Sequence, residues 1–204
     1  TAETAVRRAL FLYENDALEG RSVVVLGDDD LTSLAIAVVA EALSLGAVDI
    51  TVVEVDERLV GYIAASAERL TSKVRAVHHD LRQPLSEDLA GTADVFFTDP
   101  PYTQEGLELF CSRGVEALRP EVGMQGYVCF GPRTPKGSAA AIGALAEMGL
   151  APVEVIPEFN RYDGAQMLAG VSVMIRTLAA PPLRPIVQGA YDGPLYTGDT
   201  KRRR

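Results

Sequence analysis

Residues 22–45 read SVVVLGDDDLTSLAIAVVAEALSL, and their order decides the fold. Residues 23–26 are a continuous β-branched and apolar run, Gly27 closes it, and from 31 to 45 apolar residues recur at helical spacing. The stretch therefore predicts strand, tight turn, helix, with three aspartates in the turn. Working outward, 50–55 reads as a second strand, 57–70 as a helix, 74–77 as a third strand and 94–98 as a fourth. Residues 104–118 then look helical, 126–130 extended, 137–148 helical, and 153–156 and 171–178 extended. Short β-branched runs alternating with longer helical patterns are the signature of βαβ units around a parallel sheet. The final two strands have no strong helix between them, which predicts an antiparallel hairpin closing an otherwise parallel sheet.

The composition suits one globular domain: 204 residues, 48 % hydrophobic and 23 % charged. A formal net charge of -9 argues against a protein that lives on phosphate backbones, since such binding needs Lys and Arg, and favours a cationic ligand. No run is long and apolar enough to span a bilayer, and the start lacks the positive-then-apolar order of a signal peptide, so a soluble, cytoplasmic protein with no membrane partner is expected. Cys111 and Cys129 share no metal-ligand spacing and read as buried small hydrophobes. The catalytic domain is expected to occupy 1–178. Residues 179–204, rich in Pro and Gly and ending Lys201-Arg202-Arg203-Arg204, are expected to be a partly disordered tail.

Open α/β sheets bind ligands beyond the carboxyl ends of their strands, so the residues at those ends are the candidates. Gly27-Asp28-Asp29-Asp30 follows the first strand. Helix capping, with Asp30 as cap, explains one or two of these carboxylates; three in a row repel one another. The second strand ends in Glu54 and Asp56, where an acid can hold ribose hydroxyls, or merely sit solvated at a strand end. Asp80, with Leu81 after it, could accept from the exocyclic amine of adenine. His78 and His79 are adjacent on a strand and point to opposite faces, so no metal is expected; one should sit at the sheet edge with a satisfied hydrogen bond. Thr98-Asp99-Pro100-Pro101-Tyr102 follows the fourth strand. Its prolines fix the backbone and remove donors, leaving an acid and carbonyls to accept from an amine, although a merely rigid loop is the plainer reading. Asn160, Tyr162 and Asp163 form either one wall of a pocket or an ordinary turn around Gly164.

Asp99-Pro100-Pro101-Tyr102 resembles the Asp-Pro-Pro-Tyr motif of methyltransferases that alkylate amino groups. Taken with Gly27-Asp28-Asp29-Asp30-Leu31-Thr32-Ser33, Asp80-Leu81-Arg82-Gln83-Pro84-Leu85, Ser112-Arg113-Gly114 and Phe159-Asn160-Arg161-Tyr162-Asp163-Gly164-Ala165, it is similar to the motif series of the branched-chain polyamine synthases. The resemblance implies a class I methyltransferase-like, Rossmann-like fold: a mostly parallel seven-stranded sheet with an antiparallel last strand and helices on both faces. It implies decarboxylated S-adenosylmethionine as aminopropyl donor, methylthioadenosine as product and spermidine or a related polyamine as acceptor, with no nucleic acid; a homodimer is compatible with it. Family members also carry an amino-terminal winged-helix-like region, which is expected to be absent from this chain. Under this reading Asp29, Asp28, Asp30 and Asp99 are catalytic, with Asp29 first because it replaces a loop position that normally faces the cofactor. Gly27, Glu54, Asp56, Asp80 and Leu81 bind the donor; Pro100, Pro101, Tyr102, Asn160, Tyr162 and Asp163 bind the acceptor. The runner-up is an amino-group methyltransferase using intact S-adenosylmethionine, and a non-catalytic polyamine-binding module is the third reading.

Overall fold

The computed structural model describes residues 1–46, 48–131, 134–162 and 170–196. Its core is a seven-stranded sheet of β1 (Ser22–Leu26), β2 (Asp49–Glu54), β3 (Lys73–His78), β4 (Val95–Thr98), β5 (Gln125–Phe130), β6 (Leu150–Arg161) and β7 (Val171–Ala179). The order across the sheet is β3-β2-β1-β4-β5-β7-β6, with β7 antiparallel to both of its neighbours and the other adjacent pairs parallel. The antiparallel closing strand is as expected. Connections leave β1 toward β2 and β3 on one side and return through β4 and β5 on the other, so the switch point falls between β1 and β4, where the aspartate turn and the Asp-Pro-Pro-Tyr loop emerge.

Alternating side chains feed two cores, one per face. Val23, Val25, Ile50, Val52, Phe97 and Tyr127 pack beneath α1 (Ala2–Glu14), α2 (Thr32–Ala42) and α3 (Glu57–Ala67). Val24, Leu26, Val53, Phe96 and Val128 face α4 (Gln104–Ala117), α5 (Pro135–Glu147) and the segment through Leu81, Leu85 and Leu89. Both cysteines are buried and free, as expected.

Three features depart from the sequence reading. Helix α1 was not anticipated. Its Ala5, Ala9 and Leu12 are buried, and Thr4 Oγ1 donates to the Arg161 carbonyl at 2.7 Å, tying the helix to β6. Strand β6, expected over 153–156, runs from Leu150 to Arg161 through a register shift between Ile156 and Asn160, with Glu158 at φ 53° in the left-handed region. The segment after β7 corrects the expected tail as far as 196. Leu183 and Ile186 pack on the core, Leu195 is buried, and the chain is held by Arg113 to the Gly189 carbonyl at 2.7 Å and by Arg82 to the Gly193 carbonyl at 2.9 Å. Residues 197–204 lie outside the described residues.

Candidate active site

The carboxyl ends of β1 to β4 surround a cleft of about 570 Å³. Gly27 opens it: at φ +70° the chain turns sharply after β1, and its amide donates to the Val53 carbonyl at 2.9 Å. Asp29 and Asp30 line the cleft from this turn, Glu54 from β2, Asp80 and Leu81 from the loop after β3, and Asp99, Pro100, Pro101 and Tyr102 from the loop after β4. Tyr162 completes that side. The absence of a side chain at Gly131 lets the Tyr102 ring lie against the end of β5, since a Cβ there would strike it.

The three aspartates have three different environments. Asp28 is 2 % exposed and turned away from the cleft; it accepts from Ser33 Oγ at 2.5 Å and from the Ser33 amide at 3.3 Å, and burial raises its carboxyl to about 7. It takes the cap-like role expected of Asp30, made possible by Leu31 in the left-handed region at φ 56°. Asp30 is instead salt-bridged to Arg8 at 3.0 Å. Asp29 projects into the cleft with no hydrogen bond or ion pair among the described residues. Its carboxyl is raised above the ordinary range by loss of solvent, then by Asp30, Asp99 and Glu54, with Arg8 opposing.

Arg8, behind the cleft, is the residue that sequence reasoning missed. It comes from α1, is fully buried, and its guanidinium reaches Asp30, Thr32 Oγ1 at 3.1 Å, Asn160 Oδ1 at 2.8 Å, Asp99 at 2.5 Å and the Tyr162 hydroxyl at 2.9 Å. Burial opposes its charge but is outweighed by the groups around it, Cys129, Asp99, Tyr162 and Asp30. The signal was present: Ala5, Arg8, Ala9 and Leu12 recur at i, i+3, i+4 and i+7, placing an arginine in an apolar stripe. Asp99 also accepts from the Tyr162 hydroxyl at 2.7 Å, which Tyr102 in turn contacts at 2.7 Å. Burial raises the Asp99 carboxyl, against the pull of Arg8 and Tyr162. Burial likewise pushes both tyrosines above their usual range, so both stay protonated donors.

At the end of β2, Glu54 is 7 % exposed and its oxygens accept from the amides of Val55 at 2.8 Å, Asp56 at 2.9 Å and Asp28 at 2.9 Å, so it fixes both strand ends while facing the cleft. Asp56 does not join it. It caps α3 by accepting from the Arg58 amide at 2.9 Å, pairs with the Arg58 side chain, which holds its carboxyl down to about 2, and lies outside the cleft lining. Asn160 is likewise not a wall of the cleft: fully buried on β6, it holds Arg8 from behind and donates to Ser172 Oγ at 2.8 Å. Asp163 lies outside the described residues. His78 is satisfied, its Nε2 lying 3.0 Å from the Val55 carbonyl. His79 lines the cleft with a buried Nε2 that has no partner among the described residues. Leu195 and Tyr196 also line the cleft, brought there by the segment read as a tail. Among the described residues no group of His, Cys, Asp and Glu could hold a metal ion, and no helix is long and apolar enough to cross a membrane.

A family model for the branched-chain polyamine synthase A C-terminal domain matches residues 1–180. An uncharacterized protein of Methanocaldococcus jannaschii is 39 % identical over 178 residues, which is 86 % of this chain and 43 % of that protein. An N(4)-bis(aminopropyl)spermidine synthase of Thermococcus kodakarensis is 34 % identical over 166 residues, 79 % of this chain and 46 % of that protein. The chain thus spans less than half the length of these curated relatives. The crystal structure of the branched-chain polyamine synthase from Thermus thermophilus, in complex with N4-aminopropylspermidine and 5'-methylthioadenosine, is similar at a TM-score of 0.81 and 30 % identity, covering 96 % of this chain and 60 % of that one. A putative RNA methyltransferase from Pyrococcus horikoshii, 18 % identical at a TM-score of 0.64 over 84 % of this chain and 79 % of that one, shares the fold.

Proposed function

The chain belongs to the branched-chain polyamine synthase A C-terminal domain family, and from that membership we propose that its cleft transfers the aminopropyl group of decarboxylated S-adenosylmethionine to the secondary amine of spermidine or a related polyamine. The observation that carries the reading is Asp29: a carboxylate without a cation of its own among the described residues, at the switch point where the cationic arm of the donor and an amine acceptor would meet. The Thermus thermophilus protein, with its aminopropylated polyamine and methylthioadenosine, supports it.

In this reading Glu54 and Asp80 accept from the nucleoside, at the ribose and the adenine respectively, and Gly27 lets the backbone approach it. Asp29 attracts the primary ammonium of the donor arm and repels the carboxylate that intact S-adenosylmethionine would place there. Tyr102 and the Asp99 network orient the acceptor. The acceptor amine, an ammonium at neutral pH, first gives a proton to the Asp29 carboxylate. The freed lone pair forms a bond to the carbon beside the sulfonium; the carbon–sulfur bond breaks with its electron pair going to sulfur, which leaves as the neutral thioether, and the new tertiary nitrogen keeps its remaining proton as an ammonium. The clustered acids suit a polycationic acceptor, and the net charge of -9 sets the chain against a nucleic-acid partner.

The test is incubation with each donor and a panel of polyamines, read by mass spectrometry. Gain of one aminopropyl group from the decarboxylated donor is expected. Gain of one methyl group from intact S-adenosylmethionine would establish the methyltransferase reading in its place, and no product from either donor would refute transfer by this chain.

A further inference from the structure

Five residues converge on one buried cation. Asp30 comes from the turn after β1, Thr32 from the first turn of α2, Asp99 from the loop after β4, Asn160 from β6 and Tyr162 from just beyond it, and each bonds the guanidinium of Arg8. The Arg8 side chain is 0 % exposed, whereas those of Asp99 and Asp30 keep 10 % and 33 %. A substrate in the cleft therefore meets the carboxylates and not the arginine. The planar fork suits this work: one Nη serves Asp30, the other serves Asp99, and Nε serves Asn160.

We infer that Arg8 is a positioning residue of the acceptor pocket, a built-in counter-cation that fixes Asp30 and Asp99 in place and keeps Asp99 an anionic acceptor, leaving Asp29 as the carboxylate open to the substrate. The inference rests on the aminopropyl-transfer reading for its acceptor and on the geometry alone for its electrostatics. Among the described residues the groups facing Asp99 are few. Arg8 from α1 favours its charge and Tyr162 donates to it; Asp29 and Asp30 from the turn after β1, Cys129 from β5 and Tyr102 from its own loop disfavour it or must be polarised by it. Only Arg8 among these is positive. Without it, a buried carboxylate beside two others takes up a proton, and the Tyr162 hydroxyl, which accepts from Tyr102, loses the charged acceptor that orients it.

Carbon-13 NMR of the aspartate Cγ atoms tests this on the full chain in the presence of methylthioadenosine, the Asp99 signal being identified by its loss in Asp99→Asn. In Arg8→Met its titration midpoint should rise by at least one pH unit, a tenfold change in proton affinity, and Arg8→Lys should restore most of that shift. Asp30→Asn should move it the opposite way, because a like charge is gone and Arg8 is left to Asp99. Turnover should follow: kcat of Arg8→Met with spermidine falls at neutral pH and recovers as pH passes the new midpoint, with methylthioadenosine affinity within threefold of the parent. An Asp99 midpoint unmoved in Arg8→Met overturns the inference. If that variant does not fold, a midpoint unmoved or raised in Asp30→Asn does the same. Because the titration needs no product, its failure is distinguishable from failure of the aminopropyl-transfer reading, which is a missing product.

Discussion

Replacing Asp29 by asparagine should move activity and stability in opposite directions. No hydrogen bond or ion pair among the described residues ends on its carboxylate, so the change orphans no partner, and it removes a charge that repels Asp30, Asp99 and Glu54. Substitutions at such exposed positions usually fall within about 0.5 kcal/mol, and here the sign should be stabilising. Asparagine keeps the size and one acceptor oxygen but cannot take a proton, so transfer should fall by about 10²- to 10⁴-fold, roughly 3–5 kcal/mol on the barrier. Donor choice should weaken too. A donor carboxylate about 4 Å away is repelled by roughly 1 kcal/mol in water and about 4 kcal/mol in a partly buried cleft, a factor between about 5 and about 10³ in affinity. The parent should therefore bind methylthioadenosine or the decarboxylated donor more tightly than S-adenosylmethionine, and the variant should lose most of that preference. Calorimetric titration, thermal melting and chromatographic rates at saturating spermidine give the three readouts; the rate loss should shrink as pH rises and the amine frees its lone pair. Asp99→Asn, in contrast, should impair acceptor binding as well as turnover. Normal turnover by Asp29→Asn with Asp28→Asn or Asp30→Asn dead would reassign the base, and activity in all three would refute the mechanism.

Asp28 gives a pH signature: its folded carboxyl, near 7, lies above the model-peptide range, so the protonated form is favoured by folding and the stabilisation is lost as pH rises through about 7. Between pH 5 and 8 the parent should lose about 2–3 kcal/mol relative to Asp28→Asn in urea denaturation, and parallel profiles would remove Asp28 as the cause. Glu54→Gln should lower methylthioadenosine affinity at least tenfold while keeping one acceptor oxygen for the amides of Val55 and Asp56, whereas Glu54→Ala should also cost about 1–3 kcal/mol for each buried amide it orphans; unchanged affinity would take Glu54 out of the donor site. Arg113→Met should destabilise the fold by about 3–5 kcal/mol, because the fully buried guanidinium pairs with Glu116 at 2.6 Å and holds the Leu81 carbonyl at 2.9 Å and the Gly189 carbonyl at 2.7 Å. A loss under 1 kcal/mol would show that the segment after β7 is held by something else.

The sheet was legible because its strands are short β-branched runs closed by turn residues or acids, and because 23–45 changes period from strand to helix within one turn. The cleft was legible for a topological reason: the ends of four parallel strands converge at the switch point, so reading each strand's last residues recovered Asp29, Asp30, Glu54, Asp80, Asp99 and Tyr102. Direction of a side chain was not legible. Asp28 and Asp29 are neighbours of identical chemistry, and a left-handed Leu31 sends one into the protein while the other opens to the cleft. Asp56 and Glu54 are two residues apart, yet one ends in the cleft and the other caps α3, because the strand has finished between them. The segment after β7 was misread because Pro and Gly mark irregular backbone whether it is loose or docked; its docking depends on carbonyls that Arg82 and Arg113 bind, about which composition is silent.

Arg8 escaped for a reason that bears on how the site is built. An arginine in an apolar helical stripe reads as an interruption of the helix, not as a ligand for acids 22 and 91 residues away. Yet a cleft lined by Asp29, Asp30, Glu54, Asp80 and Asp99 would repel itself in the absence of substrate, and a polyamine can relieve that only while bound. One buried guanidinium relieves it permanently for Asp30 and Asp99, and does so from the side opposite the cleft, where it cannot compete for the acceptor's position. Under the aminopropyl-transfer reading, the acids without a cation among the described residues mark where substrate cations belong, and α1, which contributes no lining residue among the described ones, is as much part of the proposed site as the strands that frame it.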